Sequence, residues 1–156
     1  MAAEGMETTM HTHIYISLSS KAPKVQDRTI GYLITAEKRE YSKEDYTIVE
    51  ASWQRAFLIA VNAALDRFNP SVPCEITIHM PDRSIVADFN KSLPNRWQMN
   101  AWRNKRGVEI KNRDQWQKLY NQTYMARSWK VEMIFDLHKY MNYMDQQMER
   151  AEDRAV

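Results

Sequence analysis

The chain has 156 residues, 44% of them hydrophobic and 27% charged, with a formal net charge of +2. Length and composition describe one globular domain with a real core. They exclude a chain that binds polyanions through its overall charge. With 3 glycines and 5 prolines it is not loop-rich or low-complexity, and a lone cysteine, Cys74, excludes a disulfide framework and a cysteine zinc cluster.

Residues 1–12 have no apolar periodicity and are expected to form a flexible tail before a single domain spanning 13–154. In "HIYISLS", Ile14, Ile16 and Leu18 alternate with Tyr15 and Ser17, a strand pattern. "TIGYLITA" and "YTIVE" follow as two more strands across the charged link "EKREYSKED", so the three are expected to form an antiparallel meander. Ser52 is placed to cap a long helix whose stripe is Trp53, Phe57, Ala60, Val61, Ala64, Leu65 and Phe68. "NPSVP" ends it, and "CEITIH" reads as a buried parallel strand holding an inert Cys74. Pro81 and Asp82 open the helix "RSIVADFNKSL". Two short helices around the loop "NKRGVEIKN" come next, with Asn112 or Asp114 near the start of the second. "SWKVEMIF" is the last strand, and a polar helix ends the chain. This order predicts an α/β domain built on a five-stranded mixed sheet, three antiparallel strands and then parallel additions, flanked by helices.

The stretch "WQMNAW…VEIKNRDQWQKL", with "RAFLIAVNAAL" in the first long helix and this order of elements, resembles type 1 ribonuclease H. The matching positions are Trp97, Asn100, Trp102, Lys111, Asn112, Asp114, Trp116 and Leu119. Ala101 stands where the family prefers glycine. The resemblance covers roughly residues 13–153. It implies a ribonuclease H-like fold, a basic projection that holds an RNA–DNA hybrid, and two-metal cleavage of the RNA strand with Mg²⁺ or Mn²⁺. That chemistry needs carboxylates around two hard cations.

The four carboxylate positions of the family are only half kept. Ser17 occupies the first, and no Asp or Glu occurs between His11 and Gln26 to replace it. Phe57 occupies the second. Asp82 aligns with the third, though an aspartate after proline at a helix start is also an ordinary cap. Asp145, seven residues after His138, matches the spacing of the fourth, though the residue reads first as part of a solvated helix face. Asp136 and His138 are expected to pair at that end of the sheet. A serine and a phenylalanine cannot balance two dications, so ordinary turnover is not expected.

The gripping side is better kept. Arg96, Arg103, Lys105, Arg106, Lys111, Arg113 and Lys118 face only Glu109 and Asp114 over 23 residues, a net +5. Trp116 is expected in the core, whereas Trp97 and Trp102 read either as core or as surfaces against a sugar or base. The expected nucleic-acid contacts are therefore Trp97, Asn100, Trp102, Arg103, Lys105, Arg106 and Lys111. The glycine-rich loop with which the family reads 2′-hydroxyls is missing from "SSKAPKVQDR".

The leading expectation is a ribonuclease H-like nucleic-acid-binding domain with lost or impaired catalysis, its partner an RNA–DNA hybrid or another duplex. One alternative is a divergent nuclease using Asp82, Asp145 and Glu50 or Asp136 around one Mg²⁺ or Mn²⁺. Another is a protein-interaction module using Met141, Met144 and Met148 of the last helix, residues that packing on the sheet explains equally well. His11 and His13 read as an exposed pair. No apolar run is long enough to cross a membrane and no signal-peptide pattern opens the chain, so the expected compartment is cytoplasmic.

Overall fold

The computed structural model describes residues 10–20, 22–126 and 128–155. Its elements are β1 (Met10–Leu18), β2 (Gln26–Ala36), β3 (Ser42–Ala51), α1 (Trp53–Leu65), β4 (Cys74–Met80), α2 (Arg83–Asn90), α3 (Leu93–Met99), α4 (Arg113–Met125), β5 (Trp129–Phe135) and α5 (Met141–Ala155). The strands form one sheet in the order β3-β2-β1-β4-β5. β1–β2 and β2–β3 pair antiparallel, β1–β4 and β4–β5 parallel. The mixed five-stranded sheet expected from the sequence is the one observed. β1 begins at Met10, and Met10, His11 and Thr12, expected in the tail, pair with Cys74, Glu75 and Ile76.

β1 lies at the centre of the sheet, and its two parities meet different partners. Ile14, Ile16 and Leu18 lie beside Ile34, Tyr32 and Ile30 of β2, and with α1 they enter the main core. α1 supplies Ala56, Phe57, Ala60, Val61 and Ala64, all fully buried. Small alanines in that stripe let the helix sit close to the pleated surface. Ser52 caps the helix by accepting the Arg55 amide.

On the opposite face Tyr15 and Leu33 pack with Met144 and Met148 of α5. The methionine stripe is therefore spent on the sheet. Gly31 pairs with Tyr46 across β2 and β3, and a β-carbon there would stand 2.5 Å from the Tyr46 ring. Glycine at this point lets Tyr46 lie under α5.

α4 is tied to α1 rather than to the sheet. Buried Asn62 donates from Nδ2 to the main-chain and side-chain oxygens of Gln115, both at 3.0 Å. Arg55 grips both carboxylate oxygens of Asp114 at 2.7 and 2.6 Å. Asn112 stands at the start of α4 in a left-handed conformation (φ 60°) with no side-chain cap, and Asp114 falls in the first turn. No helix among the described residues is long and apolar enough to cross a membrane.

Candidate nucleic-acid interface and the carboxylate positions

Tryptophan packing builds the opening of the interface. Trp97 meets Trp116 edge-on at 5.3 Å and lies 6.2 Å from Trp102, which meets Tyr120 edge-on at 5.9 Å. Trp102 is 2% exposed and its indole donates to Gln98 Oε1 at 2.7 Å, so its face is not free for a base or sugar. Trp116 is equally buried, as the sequence suggests. Trp97 is half-buried and packed against the same core. These aromatics anchor the projection rather than form a stacking surface.

Beyond them the chain turns sharply. Ala101 and Trp102 both have positive φ, 54° and 59°. A Cβ resists this region, which explains why glycine suits position 101 better than alanine. Asn100 donates to the carbonyls of Arg103 and Asn104, at 2.7 and 3.3 Å, and so holds the turn. Asn104 Oδ1 accepts from the amides of Arg106 and Val108. An isolated bridge joins Arg103 to Glu109, and Gly107 closes the tip at φ 79°.

The charges on this projection are not equally available. Arg113 faces Glu109 at 3.7 Å and Lys118 meets Asp66 at 3.0 Å, while Arg103 donates to the Gly107 carbonyl at 2.9 Å. Lys105, Arg106 and Lys111 are exposed and make no ion pair among the described residues. The tip is a small, rigid, solvent-facing cationic surface. Asp114 is buttressed from the other side, where Arg55 holds its carboxyl down to about 2.

The carboxylate positions are built differently. Ser17 lies near the carboxyl end of β1, 0% exposed, with its hydroxyl aimed at the Met141 sulfur 3.7 Å away. Met141 opens α5 and lies one turn before Met144, so the helix brings a thioether rather than an acid to Ser17. Phe57 is 0% exposed and edge-on to Trp53 at 6.1 Å. Asp82 follows β4 and caps α2, its Oδ1 accepting from the amide and hydroxyl of Ser84, both at 2.8 Å. Its other oxygen, Oδ2, is buried without a hydrogen-bond partner. That orphaned oxygen has the chemistry of a single cation ligand. Asp145 lies exposed on α5.

Tested against a two-ion site, these residues do not fit. The Ser17 hydroxyl, the Met141 thioether beside it and the Phe57 ring supply no anionic oxygen, and hard divalent ions need several. Neither Asp82 nor Asp145 belongs to a group of three or more neighbouring His, Cys, Asp or Glu ligand atoms among the described residues. Glu50 pairs with Asp27 across the β2–β3 ladder and is exposed.

Two local features depart from the sequence reading. Asp136 does not pair with His138; its Oδ2 accepts from His79 Nδ1 at 2.7 Å, and His79, lowered from its ordinary pKa by burial, is the partner the linear pattern hid. His138 instead donates from Nε2 to the Ile16 carbonyl at 2.8 Å and accepts the Tyr140 amide at Nδ1. The loop after β1 is locked by buried Arg28, which donates to the carbonyls of Ser20, Ala22, Lys24 and Ala51. Burial depresses its pKa. An isolated arginine in a strand gave no sign of this role; only the fold brings three loop carbonyls and one from the end of β3 to one guanidinium.

No protein-family model matches the sequence, and no curated protein matches it. Solved structures do match. The fold is similar to the PFV RNase H domain in solution, with TM-score 0.61, 17% identity, and 89% of this chain covering 90% of that one. It is similar to a foamy viral protease–reverse transcriptase chain in complex with dsDNA, with TM-score 0.64, 16% identity and 92% of each chain covered. It is also similar to the foamy viral protease–reverse transcriptase in complex with an RNA/DNA hybrid, with TM-score 0.58 and 16% identity; 92% of this chain there matches 19% of the longer one. At such identities the likeness speaks for the fold alone.

Proposed function

We propose that this ribonuclease H-like fold serves as a nucleic-acid-binding domain that has given up two-metal hydrolysis. The observation that carries the reading is the burial of Ser17 and Phe57 at two carboxylate positions, with Met141 packed against the first. Fully buried positions without an anionic oxygen are hostile to paired dications. Binding is supported by the exposed, largely unpaired charge at Lys105, Arg106 and Lys111, with Arg103 beside them. Foamy viral proteins of the same fold are known in complexes with dsDNA and with an RNA/DNA hybrid.

In this role the tryptophans hold the projection rigid, and the cations at its tip neutralise backbone phosphates. Such contacts position a duplex without reading its sequence. The Arg28-locked loop lacks the glycines that read 2′-hydroxyls, so little preference between hybrid and other duplexes is expected.

A gel-shift titration with hybrid, double-stranded RNA and double-stranded DNA of equal length tests this. All three are expected to bind, and the combined substitution of Arg103, Lys105 and Arg106 by alanine is expected to weaken each to a similar degree. Affinity unchanged by that substitution sinks the binding reading. Cleavage of hybrid in Mn²⁺ that vanishes in Asp82→Asn sinks the loss of hydrolysis and favours a one-ion nuclease using the orphaned Asp82 oxygen.

A further inference from the structure

At the amino end of β1, far along the strand from Ser17, the register gathers a second set of polar groups. His11 and His13 are two apart on one strand and therefore share a face. Glu37 follows β2 directly and its amide donates to the His11 carbonyl at 2.9 Å, which continues the antiparallel ladder beside them. The carboxylate spans both rings: Oε2 lies 3.0 Å from His11 Nδ1 and Oε1 3.0 Å from His13 Nε2. All three ligand atoms lie within 4.8 Å of one another. Donors about a tetrahedral zinc ion, bonded at roughly 2.0–2.2 Å, are separated by roughly 3.3–3.6 Å.

The far sides of both rings are also fixed. His13 Nδ1 lies 2.8 Å from His79 Nε2, and His79 Nδ1 lies 2.7 Å from Asp136 Oδ2. His11 Nε2 lies 3.0 Å from Thr77 Oγ1. A carboxylate only accepts, so His79 donates to Asp136 from Nδ1. The His79 contact holds His13 Nδ1 on the side away from Glu37, so that Nε2 is the nitrogen turned toward the carboxylate. The ring stack from His11 to His13 to Tyr15 prevents the imidazoles from swinging away.

We propose that His11, His13 and Glu37 form a binding site for one divalent transition-metal ion of the zinc class, with His79, Asp136 and Thr77 as its supporting shell. Two imidazoles and a carboxylate suit a borderline ion better than Mg²⁺ or Ca²⁺. A histidine ligand whose other nitrogen is hydrogen-bonded outward is the usual arrangement at such sites. Three protein ligands leave a tetrahedral ion one exchangeable position. His13 and Glu37 also line a cleft of about 960 Å³, which Arg39, Tyr41, Lys139 and Tyr140 share, so that position borders solvent. The site includes neither Ser17 nor Phe57 and does not depend on nucleic-acid binding.

The test is a Zn²⁺ titration of the full chain, freed of any histidine tag and stripped with chelator, followed by calorimetry and by competition with a chromophoric chelator. One equivalent is expected to bind with a micromolar or tighter dissociation constant, and Co²⁺ is expected to give the visible absorption of a four-coordinate complex. Glu37→Gln and His11→Ala are each expected to weaken Zn²⁺ binding at least tenfold, and His79→Gln ~10–100-fold through the outer hydrogen bond. Circular dichroism of the metal-free variants controls for folding, and His11 and Glu37 are exposed enough that both substitutions leave the core intact. The proposal is overturned by no saturable Zn²⁺ binding, by binding indifferent to both His11→Ala and Glu37→Gln, or by Mg²⁺ competing equally. In that event the three side chains form only a hydrogen-bonded cluster.

Discussion

Two regions carry the resemblance to a nuclease, and they have kept opposite things. The projection from Trp97 to Trp116 keeps its aromatic anchors and puts its cations in solvent. The carboxylate positions that the resemblance implies hold Ser17, set against Met141 of α5, and Phe57, packed with Trp53 in the main core, and both are fully buried. Contact with phosphates needs exposure and charge, whereas buried positions gain stability from apolar contacts. Changes at Ser17 and Phe57 should therefore cost stability and leave binding alone. Changes at the tip should do the reverse.

Phe57→Glu, which restores the acid that the resemblance implies, is the severest test. It removes a fully buried ring and leaves a carboxylate without a partner, so a loss of about 3–5 kcal/mol in chemical denaturation is expected. Recovered cleavage with unchanged stability would erase the contrast. At the tip, alanine at Arg103, Lys105 and Arg106 together should weaken duplex binding by about two orders of magnitude near 0.1 M salt. The slope of log K against log salt should fall by about 2.7, at about 0.9 per lost phosphate contact. Its melting temperature should stay at the parent value.

Arg28→Met should cost about 2 kcal/mol, because three loop carbonyls and the Ala51 carbonyl at the end of β3 lose a buried charged donor at once. Protease cutting after β1 should rise with it. Ala101→Gly should stabilise by about 1 kcal/mol by relieving a left-handed alanine, read as a shift in denaturation midpoint. The smallest effect belongs to Arg55 and Asp114. The Asp114 pKa is depressed in the folded state, to about 2, so the pair's contribution is present above the unfolded value near 3.9 and is lost as pH falls through 2. Both side chains are substantially exposed, so the loss should stay under about 1 kcal/mol. Melting curves between about pH 5 and pH 2 should show it in the parent and not in Asp114→Asn.

The fold was largely legible because its signals are local. Alternation in β1, the alanine-rich stripe of α1 and the Ser52 cap each act within a few residues. The start of β1 was misplaced because His11 and Thr12 are polar, yet they pair with β4 through main-chain bonds that composition does not reveal. Ser17 and Phe57 were legible as ligand positions only through the resemblance. Met141 was not, because its place beside Ser17 depends on how α5 crosses the sheet. Trp102 allowed two readings until the positive-φ turn at Ala101 directed it inward.

The amino-acid sequence by itself determined the order of elements, the absence of any acid between His11 and Gln26, and the charge of the tip. Period and composition are written along the chain. Only the tertiary structure decided that the methionines of α5 face the sheet, that Arg28 locks a loop, and that Glu37 joins His11 and His13. Each of these joins groups from different elements. The sheet register and the helix crossing that bring them together are set by packing of the whole core.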